Sequence, residues 1–239
     1  RKNWKTERYL FDQVDERSFK LDVPAAFNEK KPWGIFKGRL WGKGMDRLRL
    51  RAPIVAGYMR VEMEVVPFSG GNIVVDLGYH GGQREAGYLQ VSPLMATPEA
   101  QERLKKSGYM EQWNKANKPQ ARVLFKEEGP GKGWEYLYQT DKAPQRLELK
   151  PHRFCIEVMP FEQYVKMVGE DKITDMVKDR AFVLIGLLKR HEGPWEVVIP
   201  ALGLRDFPEG NFAIETYGSC ITYNKIEVTA RFEREWLEE

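Results

Sequence analysis

Residues 58–65 read Tyr-Met-Arg-Val-Glu-Met-Glu-Val, and their alternation decides the fold class. Successive side chains of an extended chain point to opposite faces, so Val61, Met63 and Val65 share one side and Arg60, Glu62 and Glu64 the other. One face suits a core and the other suits water, the signature of a half-buried antiparallel strand. The pattern recurs in Trp134, Tyr136 and Tyr138, in Phe154, Ile156 and Val158, and in Ile226 and Val228. Further strands are predicted over 72–79, 86–91, 121–126, 145–150, 164–168, 181–188, 195–199 and 212–217.

Turn-forming runs separate most of these segments: Ser69-Gly70-Gly71-Asn72, Gly81-Gly82, Gly129-Pro130-Gly131, Gly169-Glu170-Asp171 and Pro208-Glu209-Gly210-Asn211. Many short strands punctuated in this way predict an all-β antiparallel β-sandwich, a single domain spanning residues 1–239. One segment departs from the pattern. Thr97-Pro98-Glu99 is a helix start, with a hydroxyl N-cap, proline at the first position and an acid in the first turn. Residues 97–117 are therefore expected to form a helical insertion that either caps a sheet edge or walls a groove.

Composition narrows the function. The 239 residues carry 38 basic and 35 acidic side chains, a net charge of +3. A protein that binds nucleic acid by neutralising phosphates needs a concentrated basic surplus, so that class is set aside. The longest uncharged apolar run, Ala181 to Leu188, is far short of the roughly 18 residues of a membrane span. Cys155 and Cys220 lie in strand-like runs and read either as buried thiols or as one disulfide. The sequence starts at Arg1, and if a signal segment has been removed an extracytoplasmic (periplasmic or secreted) location is expected.

The two ends of the chain carry a resemblance. Trp33-Gly34-Ile35-Phe36-Lys37-Gly38-Arg39-Leu40 resembles the opening of jelly-roll domains of the concanavalin A-like lectin and glucanase superfamily, and residues 58–65 resemble the long strand that follows. Residues 211–218, Asn-Phe-Ala-Ile-Glu-Thr-Tyr-Gly, and 221–228, Ile-Thr-Tyr-Asn-Lys-Ile-Glu-Val, are similar to the closing strand pair. Within the superfamily the chain is most similar to 3-keto-disaccharide hydrolase-like glycosyl hydrolase domains. The resemblance implies a concanavalin A-like jelly roll, a carbohydrate as partner and a groove on the concave sheet, acting either as a glycoside hydrolase or as a non-catalytic carbohydrate-binding or interaction module. Gly71-Asn72-Ile73-Val74-Val75-Asp76 lacks the serine and arginine of that group, and Gly87-Tyr88-Leu89-Gln90 has leucine in place of its acid. The Glu-x-Asp-x-x-Glu signature of family 16 endoglucanases is absent.

Glycosidic hydrolysis normally takes two carboxylates about 5–9.5 Å apart. Glu62 and Glu64, two apart on a strand, have that spacing, but alternating acids of this kind are commonplace on the solvated side of a core strand, which is the favoured reading. A second cluster surrounds Gly81-Gly82 in a predicted hairpin. It offers Asp76, Glu85 and His80 as catalytic candidates, with Tyr79, Arg84 and Tyr88 as substrate-binding candidates; the competing reading is an ordinary polar hairpin tip. Aromatic rings stack on the CH faces of sugars, so Trp134, Tyr136 and Trp113 are candidate platform residues, or else core. The three histidines lie far apart and no Cys-x-x-Cys occurs, so no zinc site is expected. No cofactor is called for, although calcium stays open, with Asp12, Asp15 and Glu16 as ligand candidates or plain surface acids. The chain has no Gly-x-Ser-x-Gly elbow, P-loop or dinucleotide fingerprint, which removes the serine-hydrolase and nucleotide classes.

Overall fold

The alternating runs at 60–65, 134–139, 153–158 and 225–229 are all extended in the computed structural model of the chain, which describes residues 5–10, 33–36, 39–69, 72–79, 87–92, 121–126, 133–140 and 150–232. The strands are β1 (Lys5–Leu10), β2 (Trp33–Phe36), β3 (Arg39–Ser69), β4 (Asn72–Tyr79), β5 (Tyr88–Ser92), β6 (Arg122–Lys126), β7 (Trp134–Gln139), β8 (His152–Pro160), β9 (Phe182–Arg190), β10 (Trp195–Leu204) and β11 (Gly210–Phe232). The expected helical insertion at 97–117 and, but for Lys150, the strand expected over 145–150 lie outside the described residues. Among the described residues no helix is long and apolar enough to cross a membrane.

The strands are hydrogen-bonded in the order β10-β9-β8-β3-β11-β4-β5-β6-β7, with β1 attached to β11 and β2 to β3. The long strands β3 and β11 tie the two halves together. Residues 211–217 of β11 pair with β4, and residues 225–230 pair with β1 on one edge and with β3 on the other. Partner numbers along β3 fall as those along β11 rise, from Ala213 opposite Arg49 to Tyr223 opposite Leu40, and again from Ile226 opposite Met63 to Ala230 opposite Met59. That is the sense of antiparallel pairing.

One buried cluster includes Leu184, Leu188, Ile199, Leu202 and Leu204 from one end of the sheet and Leu89, Val91 and Val123 from the other. The strand ends of the path therefore face each other across a shared core, which makes the rolled sheet an antiparallel β-sandwich. Val61, Met63 and Val65 are fully buried in it, as their spacing requires. Gly186 lets β9 and β10 pair closely: a Cβ there would sit 2.9 Å from Cβ of Ile199, its ladder partner on β10.

The strand expected over 164–168 is the C-terminal half of a helix, α1 (Phe161–Val168). Phe161, Tyr164, Val165 and Val168 recur at helical spacing, and three of them, Phe161, Tyr164 and Val168, pack with Met159, Val177 and Val183 in a second small core on the outer side of β8 and β9. Glu162 in the first turn and Lys166 in the last suit the helix dipole. Gly169, at φ 94°, ends the helix and donates its N–H to the Val165 carbonyl at 2.8 Å.

Candidate functional site

β4 carries the site because its two faces differ in kind. Ile73, Val75 and Leu77 point into the core, so Val74, Asp76 and Gly78 occupy the opposite face. Asp76 is fully buried there. Ladder pairing lays out its neighbours: Asp76 faces Gln90 on β5 and Ala213 on β11; Gln90 faces Leu124 on β6; Leu124 faces Tyr136 on β7. Asp76, Gln90 and Tyr136 thus stand in one row across four strands.

Glu215 lies two residues beyond Ala213, diagonal to Asp76 across the β4/β11 pair. Such diagonal positions are about 7–8 Å apart. Gln90 reaches across β4 and donates from Nε2 to Oε2 of Glu215 at 3.1 Å. Ser92, buried on the same face, donates to the Ile73 carbonyl at 3.3 Å. Beside this row, the rings of Tyr79 and Tyr88 meet edge to face with centroids 5.3 Å apart. Gly78 at φ 77° turns β4 against the 205–209 loop, where a Cβ would lie 3.1 Å from the Glu209 carbonyl oxygen.

Among the residues singled out from the sequence, Asp76, Tyr79, Tyr88 and Tyr136 come together on this face. Asp76 has no exposed surface, so of the two carboxylates the half-buried Glu215 is the one open to a ligand. His80, Arg84, Glu85 and Trp113 lie outside the described residues, as do the calcium candidates Asp12, Asp15 and Glu16. Trp134 pairs with Lys126, itself the partner of Tyr88, which puts its backbone in the next row. The shared face expected for Tyr136 and Tyr138 is not formed. A register shift pairs Tyr138 with Val123 and Tyr136 with Leu124, so Tyr138 packs on the core while Tyr136 stays 53% exposed.

Gln90 and Glu215 are functional candidates that strand-level reading of the sequence passes over. The available signal was a polar residue on the non-core side of two strands otherwise filled with hydrophobes, Tyr88-Leu89-Gln90-Val91 and Phe212-Ala213-Ile214-Glu215.

Glu62 and Glu64 lie on the outer side of β3, as alternation predicts, but Glu62 is not a solvated acid: it is 8% exposed and gripped by Arg153 and by Arg60, the latter at 3.2 Å. Arg60 also pairs with Glu157 at 3.5 Å, and Tyr58 donates to Glu157 at 2.6 Å. Burial, then that carboxylate, holds the Tyr58 phenol above its ordinary range. Asn224 donates to Glu64 at 2.7 Å. Both acids are engaged in structural contacts. Cys155 beneath them is a free, buried thiol pushed up to about 11 by burial, so it forms no disulfide with Cys220. Among the described residues no group of three or more His, Cys, Asp or Glu could hold a metal ion.

No protein-family model matches the chain, and no curated protein matches it. Solved structures do. The exoplasmic/lumenal domain of VIP36 in its Ca2+/Man2-bound form aligns over 100% of this chain and 95% of its own, with 7% identity and a TM-score of 0.53. Peanut lectin with a 9mer peptide aligns over 94% and 97%, with 9% identity and a TM-score of 0.49. Alginate lyase Aly36B aligns over 96% and 98%, with 10% identity and a TM-score of 0.47. With its order of strands, its rolled antiparallel sheet and its end-to-end alignment to the VIP36 domain, the chain has the concanavalin A-like lectin fold.

Proposed function

We propose that the chain binds a glycan on the outer face of β11-β4-β5-β6-β7. The observation that carries this reading is the Gln90–Glu215 hydrogen bond, standing with Tyr88 and the exposed Tyr136 on one face. Sugar hydroxyls both donate and accept, which an amide and a carboxylate can answer, and sugar CH faces stack on aromatic rings. The VIP36 domain, similar in fold, is described in a Man2-bound form, which supports a saccharide as ligand. In this reading Glu215 and Tyr136 touch the sugar, and the buried Gln90 positions the Glu215 carboxylate through their hydrogen bond.

A hydrolytic reading would pair Glu215 with the buried Asp76, diagonal to it across the β4/β11 pair. The resemblance to 3-keto-disaccharide hydrolases points the same way. One experiment separates the two. Wild type, Glu215→Gln and Tyr136→Ala are tested on a glycan array, and the same glycans, with oxidised 3-keto disaccharides added, are examined for products by mass spectrometry. Binding without product, weakened at least tenfold in both variants, supports the binding reading. Release of a defined sugar that is abolished in Glu215→Gln supports hydrolysis. Wild type that neither binds nor cleaves any glycan overturns both.

A further inference from the structure

A cavity lies on the other side of β5. Gly87 and Leu89 face it, while Tyr88 and Gln90, their alternating neighbours, belong to the glycan-binding face just described. The cavity is a cleft of about 950 Å³ where the two ends of the rolled sheet meet. That lies at the upper end of the range for small-molecule sites, roughly 300–1,000 Å³.

Its walls are apolar. Leu89, Phe125 and Leu137 form one side, and Phe182, Leu204 and Phe207 the other, with the Phe182 and Phe207 rings set edge-on at 5.4 Å. The polar groups lining it are mixed in sign. Arg180 and Arg205 bring donors; Glu135, Asp206 and Glu209 bring acceptors. Arg180 is laid across β10 by design of the strand: Gly203 sits beneath it, and a Cβ there would overlap the arginine stem and crowd the Met176 carbonyl. The Gly203 N–H is itself tied to that carbonyl at 3.0 Å.

We propose that this cleft binds an uncharged amphiphile, an alkyl or aryl chain bearing a hydroxyl-rich head. The apolar walls take the chain, whose transfer from water drives binding. Donors and acceptors of both signs suit hydroxyls, each of which donates and accepts, whereas a charged head meets like charge as well as opposite. An alkyl glycoside is the simplest molecule of this class. The proposal stands apart from the glycan-binding reading, because none of Asp76, Gln90, Glu215 or Tyr136 lines the cleft.

The test is calorimetric titration of the full chain with octyl β-D-glucoside below its micelle concentration, beside glucose, octanoate and octyltrimethylammonium. Octyl glucoside should bind at one site, glucose should not, and each charged analogue should bind at least fivefold more weakly. Leu137→Trp, which fills the cleft, should weaken octyl glucoside at least tenfold. Arg180→Met, at an exposed position, should weaken it several-fold without touching the core. Near-ultraviolet circular dichroism and the melting midpoint establish that each variant is folded. Glu215→Gln should leave this binding unchanged, so failure of the glycan reading and failure of this one are read separately. No octyl glucoside binding to wild type, equal binding in both cleft variants, or no preference for the neutral head would overturn the proposal.

Discussion

Gln90 on β5 and Glu215 on β11 are joined by a 3.1 Å hydrogen bond that spans the whole width of β4. The two residues are 125 apart in sequence, and the bond exists only because β4 places Val74 and the fully buried Asp76 between them. A bond to a charged acceptor is among the stronger kinds, and a half-buried carboxylate that loses its donor keeps its desolvation cost. The same two groups thus hold three strands in register and offer an amide and a carboxylate on one face.

Gln90→Leu should therefore lower the unfolding free energy by about 1.5–3 kcal/mol, while Glu215→Gln, which keeps an acceptor in place, should cost less than about 1 kcal/mol. Urea unfolding of both variants checks this. Equal losses would mean that the bond is not the main role of Gln90.

Glu62 gives a second prediction of a different kind. Its carboxylate is nearly buried, but its partners Arg60 and Arg153 keep 40% and 43% of their side chains in water, and Arg153 also rests 5.4 Å over the Trp195 ring. Solvent screens such pairs, so the whole cluster is worth far less than a buried ion triad. Glu62→Gln should cost about 1–2 kcal/mol at low salt and clearly less at molar salt. Arg153→Met should cost no more than that, since Arg60 still holds the acid. Unfolding curves at the two salt concentrations decide it; a loss independent of salt would point to packing instead of charge.

The contrast between these clusters explains what could be read in the chain beforehand. Val61, Met63 and Val65 announce a core strand because period two reports one face directly, with no knowledge of the partner strand. Tyr164–Val168 misleads because five residues fit either period; Phe161 and Gly169, just outside that window, carry the helical spacing and the stop. Tyr138 turns inward because of a register shift against β6, which depends on the pairing and not on its own neighbours. Glu215 is legible as an odd polar residue in a core strand, but its relation to Gln90 requires the sheet order. Faces were local information and the site was not.

Gly186 offers a test of the packing between β9 and its neighbour. Gly186→Ala would bring a methyl group within 2.9 Å of two Ile199 side-chain carbons, in a part of the core with no exposed surface. Overpacking of this kind costs about 1–3 kcal/mol. Ile199→Val on its own removes one methyl group and should cost about 0.5–1.5 kcal/mol. The double variant should then be more stable than the sum of the two losses allows, because each change relieves the other. Additive losses in a double-mutant cycle of thermal or urea unfolding would show that β9 and β10 separate freely to admit the methyl.

Cys155 sets an alkaline limit. Burial, the largest influence, raises its thiol from an ordinary value of 9.0 to about 11, so the folded chain holds the proton more tightly than the unfolded one. Below pH 9 both states are protonated and the contribution to stability is complete. Between pH 9 and 11 the unfolded chain releases its proton while the folded chain does not, and stability falls; above 11 the loss levels off. Two units correspond to at most about 2–3 kcal/mol. Tyr58 and the fully buried Tyr223 are also raised from 10.0, so their losses follow at higher pH. The window from pH 9 to 10 thus belongs mainly to the thiol. Cys155→Ala should flatten the decline there while leaving the steeper fall above pH 10, and urea unfolding at pH 8, 9 and 10 measures it. Parallel declines in wild type and variant would mean that Cys155 is more accessible to water than its 1% exposure indicates.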